Sequence, residues 1–226
     1  MAVAFEVKKL KKPKEALAPL KSGQVVMVGG FGLSGTPITL LYHLLEMPIK
    51  DLTIISNNLG ESNRGLGKLL LNGQIKKAIG SYFTSNRDAI ELWEKGEVEL
   101  ELLPQGTLAE AIRAGGAGIG GFYTPTAVGT ELAKGKEERI IDGKRYIFEK
   151  ALKADVALIK AHKADALGNL VYWKTADNFN SMMATAADYV VAQVDEIVPV
   201  GALSPEEIKT PHVYVDALVL NEHLPV

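Results

Sequence analysis

The chain has 226 residues, 47% of them apolar, and a formal net charge of −2 with no cysteine. That is enough apolar material for one well-buried core; the near-neutral charge offers no broad basic field for nucleic acid or an anionic membrane, and the missing thiols exclude disulfides, thiolate metal sites and a cysteine nucleophile. Met1 to Phe5 lacks a long apolar leader core, and no stretch approaches the roughly 18 uninterrupted apolar residues of a membrane span, so a soluble cytoplasmic protein is expected.

Apolar runs alternate with helical patterns along the whole chain, which predicts βαβ units. The expected fold is therefore α/β, one domain over 1–226 with an open, mainly parallel sheet covered by helices on both faces. The lysines from Lys8 to Lys14 read as the solvated face of a first helix. Val25 to Val28 is an apolar strand that runs into Gly29-Gly30-Phe31-Gly32-Leu33-Ser34-Gly35, and Pro37 then opens a helix to Met47. In that helix Ile38, Leu41, Leu44 and Leu45 form one stripe while Thr39, Tyr42, His43 and Glu46 form the opposite one, which makes His43 a surface residue. A second strand, Leu52 to Ser56, is followed by a glycine-spaced segment from Gly60 to Gly67, an apolar helix, and a strand from Ala78 to Tyr82. Asn86 caps the next helix and Gly96 stops it. Val98, Leu100 and Leu102 alternate with Glu97, Glu99 and Glu101, a strand with one wet face whose acids serve solubility.

After Pro104-Gln105-Gly106, Thr107 and Glu110 match a capping box at a helix start, so Gln105 falls just outside the carboxyl end of a strand, where open α/β sheets bind ligands. The glycine-dense stretch from Gly115 to Gly121 reads as a packed loop, and Asp142-Gly143 as a tight hairpin turn. Later strands are expected at Val156 to Lys160, Leu170 to Trp173, Tyr189 to Val194 and Val213 to Leu220.

The first glycine loop is the main functional signal. Glycines let the backbone approach a ligand closely, and a helix N-terminus offers N–H groups with partial positive charge, so strand, loop and helix together suit phosphate, carboxylate or a developing oxyanion. Gly30 to Gly35 satisfies G-x-G-x-x-G, which admits a nicotinamide-dependent oxidoreductase. That reading needs an acid roughly 20 residues on, at the end of the next strand. The strand ends instead in Ser56-Asn57-Asn58, with no acid before Glu61. A non-catalytic ligand-binding domain is the third reading.

Gly29-Gly30-Phe31 with Gly35-Thr36-Pro37, followed in order by Ser56-Asn57-Asn58, Pro104 to Leu108, Arg113 to Gly118, Phe122 to Thr126 and Asn178-Phe179-Asn180, closely resembles the alpha-subunit type of the class I coenzyme A transferases, as in 3-oxoacid and acetoacetate CoA-transferases. Two positions depart from the family pattern: Ser22 where Asp or Asn is usual, and Asp177 where a basic residue is frequent. The resemblance implies an enzyme subunit handling coenzyme A as substrate, with no tightly bound cofactor. It also implies a ping-pong transfer of CoA between a short-chain 3-oxoacid or acyl-CoA and a carboxylate, such as succinyl-CoA or acetyl-CoA with acetoacetate or butyrate. The family's nucleophilic glutamate, part of a Ser-Glu-Asn-Gly motif, lies on a beta subunit. That motif is missing here, so a partner chain is implied and Glu61 is an ordinary loop acid. The resemblance assigns CoA binding to Gly29, Gly30, Phe31, Gly32, Leu33, Ser34 and Gly35, and Gln105 and Asn57 are the neutral donors expected to face the acyl group. For Asn57 a turn residue bonding its own backbone is an equal alternative.

The remaining candidates carry less. His43, His162, His212 and His223 show no metal-ligand spacing. Asn178-Phe179-Asn180 reads as a structural plug, Lys160 and Lys163 around His162 as a solvated loop, and Ser34 lacks the partners of a hydrolase nucleophile.

Overall fold

The computed structural model describes residues 6–225; the Met1 to Phe5 stretch lies outside the described residues. The elements run α1 (Pro13–Leu17), β1 (Val25–Val28), α2 (Ile38–Leu45), β2 (Leu52–Ile55), α3 (Leu66–Leu71), β3 (Ile75–Gly80), α4 (Arg87–Glu94), β4 (Glu99–Leu102) and α5 (Gln105–Gly116). There follow β5 (Gly121–Thr124), β6 (Glu138–Ile141), β7 (Lys144–Lys150), β8 (Ala154–Asp165), β9 (Leu170–Val171), α6 (Asn180–Met183), β10 (Ala187–Val198) and β11 (Ala217–Leu220).

The main sheet has the order β11-β10-β8-β1-β2-β3-β4, all neighbours parallel, with β9 added antiparallel to β8. Side chains alternate across the strands. Val26 and Val28 of β1 join Leu17, Leu40, Leu44 and Leu69 in one core, whereas Met27 joins Leu108, Ile112 and Met183 in another. Helices α1 to α4 therefore cover one face and α5 and α6 the other, as expected of a parallel sheet. The second, antiparallel sheet of β5, β7 and β6 packs beside α5. Its hairpin turns at Asp142-Gly143, where both residues take positive φ, 48° and 75°, the mark of a two-residue primed turn.

Several sequence expectations shift. Lys8 and Lys9 form a turn closed by Leu10 N–H donating to the Val7 carbonyl, and Leu10 then bridges Leu218 of β11 ahead of Lys11, Lys12 and α1, so of the cluster only Lys14 lies in the helix. Helix α5 begins at Gln105, two residues ahead of the expected capping box; Pro104 ends the preceding stretch, Thr107 is buried, and Glu110 pairs with Arg113 instead. The expected packed loop at Gly115 divides: Gly115 and Gly116 are helical and tightly packed, while Ala117 to Gly120 are exposed. Strands β8 and β10 are far longer than expected because they pair with each other along ten registered positions from Ala154–Ala187 to Asp165–Val198. The stretch from Val213 yields a strand only from Ala217, after a 3-10 turn at His212–Tyr214. The acidic face of β4 does more than solubilise, since Glu99 and Glu101 both grip Lys77 of the adjacent strand and raise its pKa. His43 is no free surface residue: its Nε2 lies 2.9 Å from Glu222, and Thr39 on the same stripe is fully buried beneath the C-terminal segment.

Candidate active site

β1 is the topological switch point, with β2, β3 and β4 on one side and β8, β10 and β11 on the other. Crevices at the carboxyl ends of strands form where the connections diverge, and here two lie on either side of the loop that follows β1.

The loop itself divides in two. Gly29 and Gly30 are buried and exist for close approach: a Cβ on Gly29 would stand 1.8 Å from Asn180 Oδ1, and one on Gly30 2.5 Å from Thr36 Oγ1. From Phe31 to Ser34 the chain turns back on itself, with Phe31 N–H donating to the Ser34 carbonyl at 2.9 Å and Ser34 N–H to the Phe31 carbonyl at 3.1 Å. Gly32 at the tip has φ +60° and no atom within 4 Å of a built Cβ. Phe31 is 49% exposed. The helix N-terminus does not supply the open anion site expected of it: Thr39 N–H donates to Gln193 Oε1 from β10 at 2.9 Å, and the first turn of α2 is buried. The loop is pinned from behind by Asn178 and Asn180, whose Nδ2 groups donate to the carbonyls of Ser34 and Gly35, while Asn180 Oδ1 accepts from Lys160 N–H. Asn178-Phe179-Asn180 is thus a structural lock on the loop.

On the β2, β3 and β4 side lies a cavity of about 380 Å³ lined by Phe31 and Gly32, the amides Asn57, Asn58 and Gln105, the hydroxyls Ser81 and Ser85, and Tyr82, Gly60 and Glu61. Asn57, 2% exposed, donates from Nδ2 to Ser81 Oγ at 3.0 Å and to Gln105 Oε1 at 3.3 Å, and its Oδ1 accepts from Asn58 Nδ2. Both amide hydrogens of Asn57 are consequently engaged. It holds Gln105 through Oε1, and Gln105 lines the cavity. The turn role weighed for Asn57 falls to its neighbour, since Asn58 Oδ1 accepts from Gly60 N–H at 2.8 Å. Gln105 sits at the first position of α5 and is exposed to the cavity.

Sequence reasoning missed the second wall. Gly60-Glu61-Ser62-Asn63-Arg64-Gly65, between β2 and α3, repeats the architecture of Gly30 to Gly35, with a bridge between Glu61 and Arg64 as between Phe31 and Ser34. The available signal was the matching six-residue spacing of its end glycines after a strand. Glu61 pairs with Arg64 Nη1 at 2.5 Å, consistent with an ordinary loop acid, but it does border the cavity.

On the other side of the first loop a cavity of about 320 Å³ is lined by Ser34, Gly35, Lys160, Ala161, His162, Trp173, Ala176 and Asp195. Lys160 and His162 belong to β8 and are half-buried, where a solvated loop was expected. Partial burial pulls the Asp195 carboxyl upward, but the hydrogen bond from Asn221 with the charges of Lys160 and His162 outweighs it and holds the pKa below the usual range. Neither departure from the family pattern enters a cavity wall. Ser22 Oγ accepts from Lys50 N–H at the opposite end of the strands, and Asp177 faces Lys209 at 3.5 Å. Among the described residues no cluster of three His, Asp or Glu could hold a metal, and no helix is long and apolar enough to cross a membrane.

The fold and the amide-lined cleft at the switch point define a parallel α/β protein with a cavity between two glycine loops. A family model described as coenzyme A transferase matches residues 10–221. The chain is 53% identical over 209 residues to the A-subunit of the succinyl-CoA:3-ketoacid coenzyme A transferase of Xanthomonas campestris pv. campestris, covering 92% of this chain and 86% of that one. It is 43% identical to the alpha subunit of the acetate CoA-transferase of Escherichia coli K12, covering 95% and 97%. The fold matches an acyl-CoA transferase from Escherichia coli O157:H7 with TM-score 0.82 at 22% identity, covering 96% of this chain and 48% of that one. The chain belongs to the coenzyme A transferase family, as an enzyme subunit of the alpha kind. The oxidoreductase reading is not favoured: β2 ends in buried amides where that reading needs an acid.

Proposed function

We propose that this chain is the alpha half of a cytoplasmic heteromer that moves CoA between a short-chain 3-oxoacid or acyl-CoA and a carboxylic acid, taking coenzyme A as substrate and holding no tightly bound cofactor. The observation that carries the reading is the Asn57–Gln105–Ser81 network lining a cavity whose one bordering carboxylate, Glu61, is paired with Arg64. In the reaction, the acyl-CoA carbonyl is attacked by a glutamate carboxylate of the beta subunit, which forms an anhydride and expels CoA thiolate. The thiolate then attacks the glutamyl carbonyl of the anhydride, which releases the acyl group as a carboxylate and leaves a glutamyl-CoA thioester. An incoming carboxylate runs the same two steps in reverse.

Gln105 Nε2 donates to the carbonyl oxygen as negative charge gathers on it, and being neutral it does not quench the attacking carboxylate. Asn57 positions that amide. The exposed tip of the first loop, Phe31 to Ser34, lies against the pantetheine arm, with Gly29, Gly30 and Gly35 shaping the loop behind it. A division of labour between two polypeptides is supported by the Escherichia coli O157:H7 acyl-CoA transferase, of whose single chain this one spans about half, 48%. The test is reconstitution. The isolated chain is expected to transfer no acyl group, and mixing it with its beta subunit should bring activity together with a mass increase of that partner matching glutamyl-CoA. Turnover by the isolated chain, verified free of partner, would overturn the proposal.

A further inference from the structure

The chain holds nine asparagines, and Asn72 alone is followed by glycine. The pair matters chemically, because the backbone nitrogen after an asparagine can attack the side-chain carbonyl carbon and close a cyclic imide. Glycine leaves that nitrogen unshielded by a Cβ and its backbone free to turn. The fold leaves the pair in water. Asn72 caps the C-terminus of α3 and is exposed, as is Gly73, which takes φ +68° with no atom within 4 Å of a built Cβ. By contrast Asn57, Asn58, Asn86 and Asn180 are buried. One contact opposes closure: Gly73 N–H donates to the Leu70 carbonyl at 3.0 Å. It lies at the end of a short helix, where fraying costs little, so it slows the attack without forbidding it.

We propose that Asn72 is a site of spontaneous modification, converted to aspartate and isoaspartate through a cyclic imide, with the Gly73–Leu70 hydrogen bond as its gate. Gly73 N bonds to Asn72 Cγ, the Cγ–Nδ2 bond breaks, and ammonia leaves with the hydrogen that the Gly73 nitrogen gives up. Water then reopens the ring. Addition at Cγ gives aspartate on an unchanged backbone; addition at the main-chain carbonyl gives isoaspartate, with the chain running through the former side chain.

Either product removes what the amide holds. Asn72 Nδ2 donates to Gln74 Oε1 at 3.1 Å and to the Leu45 carbonyl at 3.5 Å. Gln74, 1% exposed, in turn donates to the carbonyls of Leu44 and Met47 at the end of α2. A carboxylate at position 72 faces two acceptors and the negative end of the α3 dipole, so conversion loosens the joint between α2 and α3. Asn72 precedes β3 whereas Ser81 and Tyr82 of the amide-lined cavity follow it, so the change lies at the far end of that strand from the proposed acyl transfer and does not depend on it.

The experiment incubates the full chain in mildly alkaline buffer, with and without guanidinium chloride, and follows each asparagine by peptide mapping with mass detection. In the folded chain the Asn72 peptide should gain the amide-to-acid mass difference, as two separable isomers, at least about tenfold faster than any other asparagine peptide. Denaturant should raise its rate further, because the gate is gone. Mass has to be read peptide by peptide, since Asp142-Gly143 can form the same imide with no change of mass. Asn72→Asp, equivalent to one product, should lower the urea midpoint of the chain. An Asn72 that keeps its amide in the folded chain, or converts no faster than the other eight asparagines, would overturn the site. Equal rates with and without denaturant would overturn the gate, and an unchanged midpoint in Asn72→Asp the loosening of the joint.

Discussion

The loops Gly30 to Gly35 and Gly60 to Gly65 share one frame and differ in what fills it. Each follows a central parallel strand, each closes with a bridge between its second and fifth residues, and each hands the chain to a helix. They also touch, since a Cβ on Gly65 would lie 3.1 Å from Leu33 Cδ2. Yet the first has the tip Phe31-Gly32-Leu33-Ser34, and the second the charged tip Glu61-Ser62-Asn63-Arg64. The frame glycines serve packing in both. In the proposed function, ligand recognition is assigned to the tips, and a glycine-rich pattern by itself reports the frame.

The sharpest way to break this comparison is to attack the frame in both loops. A Cβ at Gly30 would meet Thr36 Oγ1 at 2.5 Å, and one at Gly60 the Arg64 carbonyl at 2.3 Å, both on a backbone with positive φ. Overpacking costs about 1–3 kcal/mol and a left-handed backbone about 1–2 kcal/mol. Gly30→Val and Gly60→Val should each lose about 3 kcal/mol or more in urea unfolding. If Gly60→Val loses less than about 1 kcal/mol, the second loop is not a copy of the first.

Gln105 borders the cavity that both tips enclose and belongs to neither loop, so its removal should appear in rate and not in stability. Gln105→Ala should slow formation of the glutamyl-CoA adduct by on the order of a hundredfold, about 3 kcal/mol of barrier, at saturating acyl-CoA and with the heteromer still assembled. Mass measurement of the adduct against time reads this directly. A loss below about tenfold, roughly 1.4 kcal/mol, would remove Gln105 from the chemistry.

The difference between frame and tip also explains what the sequence made legible. The first loop could be read because its glycines, its preceding apolar strand and Pro37 are all local, and the Asp142-Gly143 turn for the same reason. What caps and pins that loop comes from far along the chain: Gln193 reaches Thr39 across 154 residues and Asn180 reaches Gly35 across 145. Neither pairing leaves a periodic trace, so the helix N-terminus looked open when it is closed. His43 was misread likewise, because its partner Glu222 lies 179 residues along the chain. The second loop escaped notice because its charged tip resembles an ordinary surface turn.

Gly32 separates tip from frame within the first loop. Its φ of +60° disfavours any branched side chain, but open space surrounds it. Gly32→Val should therefore cost about 1–2 kcal/mol in stability, the backbone term alone. Turnover of the assembled enzyme should fall by a larger factor than that destabilisation explains, since the side chain would stand where the loop tip approaches its ligand. Near-normal activity would make the tip structural as well.

The smallest effect is expected at the tip of the second loop, where the two turns differ in hand. Positive φ falls on Gly32, the first central residue of its turn, but on Asn63, the second central residue of the other, with φ 55°. Asn tolerates that region better than other side-chain-bearing residues. Replacing it by glycine relieves a few tenths of a kcal/mol of strain and returns a similar amount as extra freedom of the unfolded chain, so Asn63→Gly should shift stability by less than about 0.5 kcal/mol. Ser62, beside it, lacks the positive φ and donates to Asp88 Oδ2 at 2.7 Å. Ser62→Gly has no strain to relieve and gains the same unfolded-state freedom, so it should cost about 0.4–1 kcal/mol. Urea midpoints at constant m read the difference between the two variants. If Ser62→Gly proved the milder of the two, the positive φ would lie on Ser62, and the two turns would be copies in hand as well as in frame.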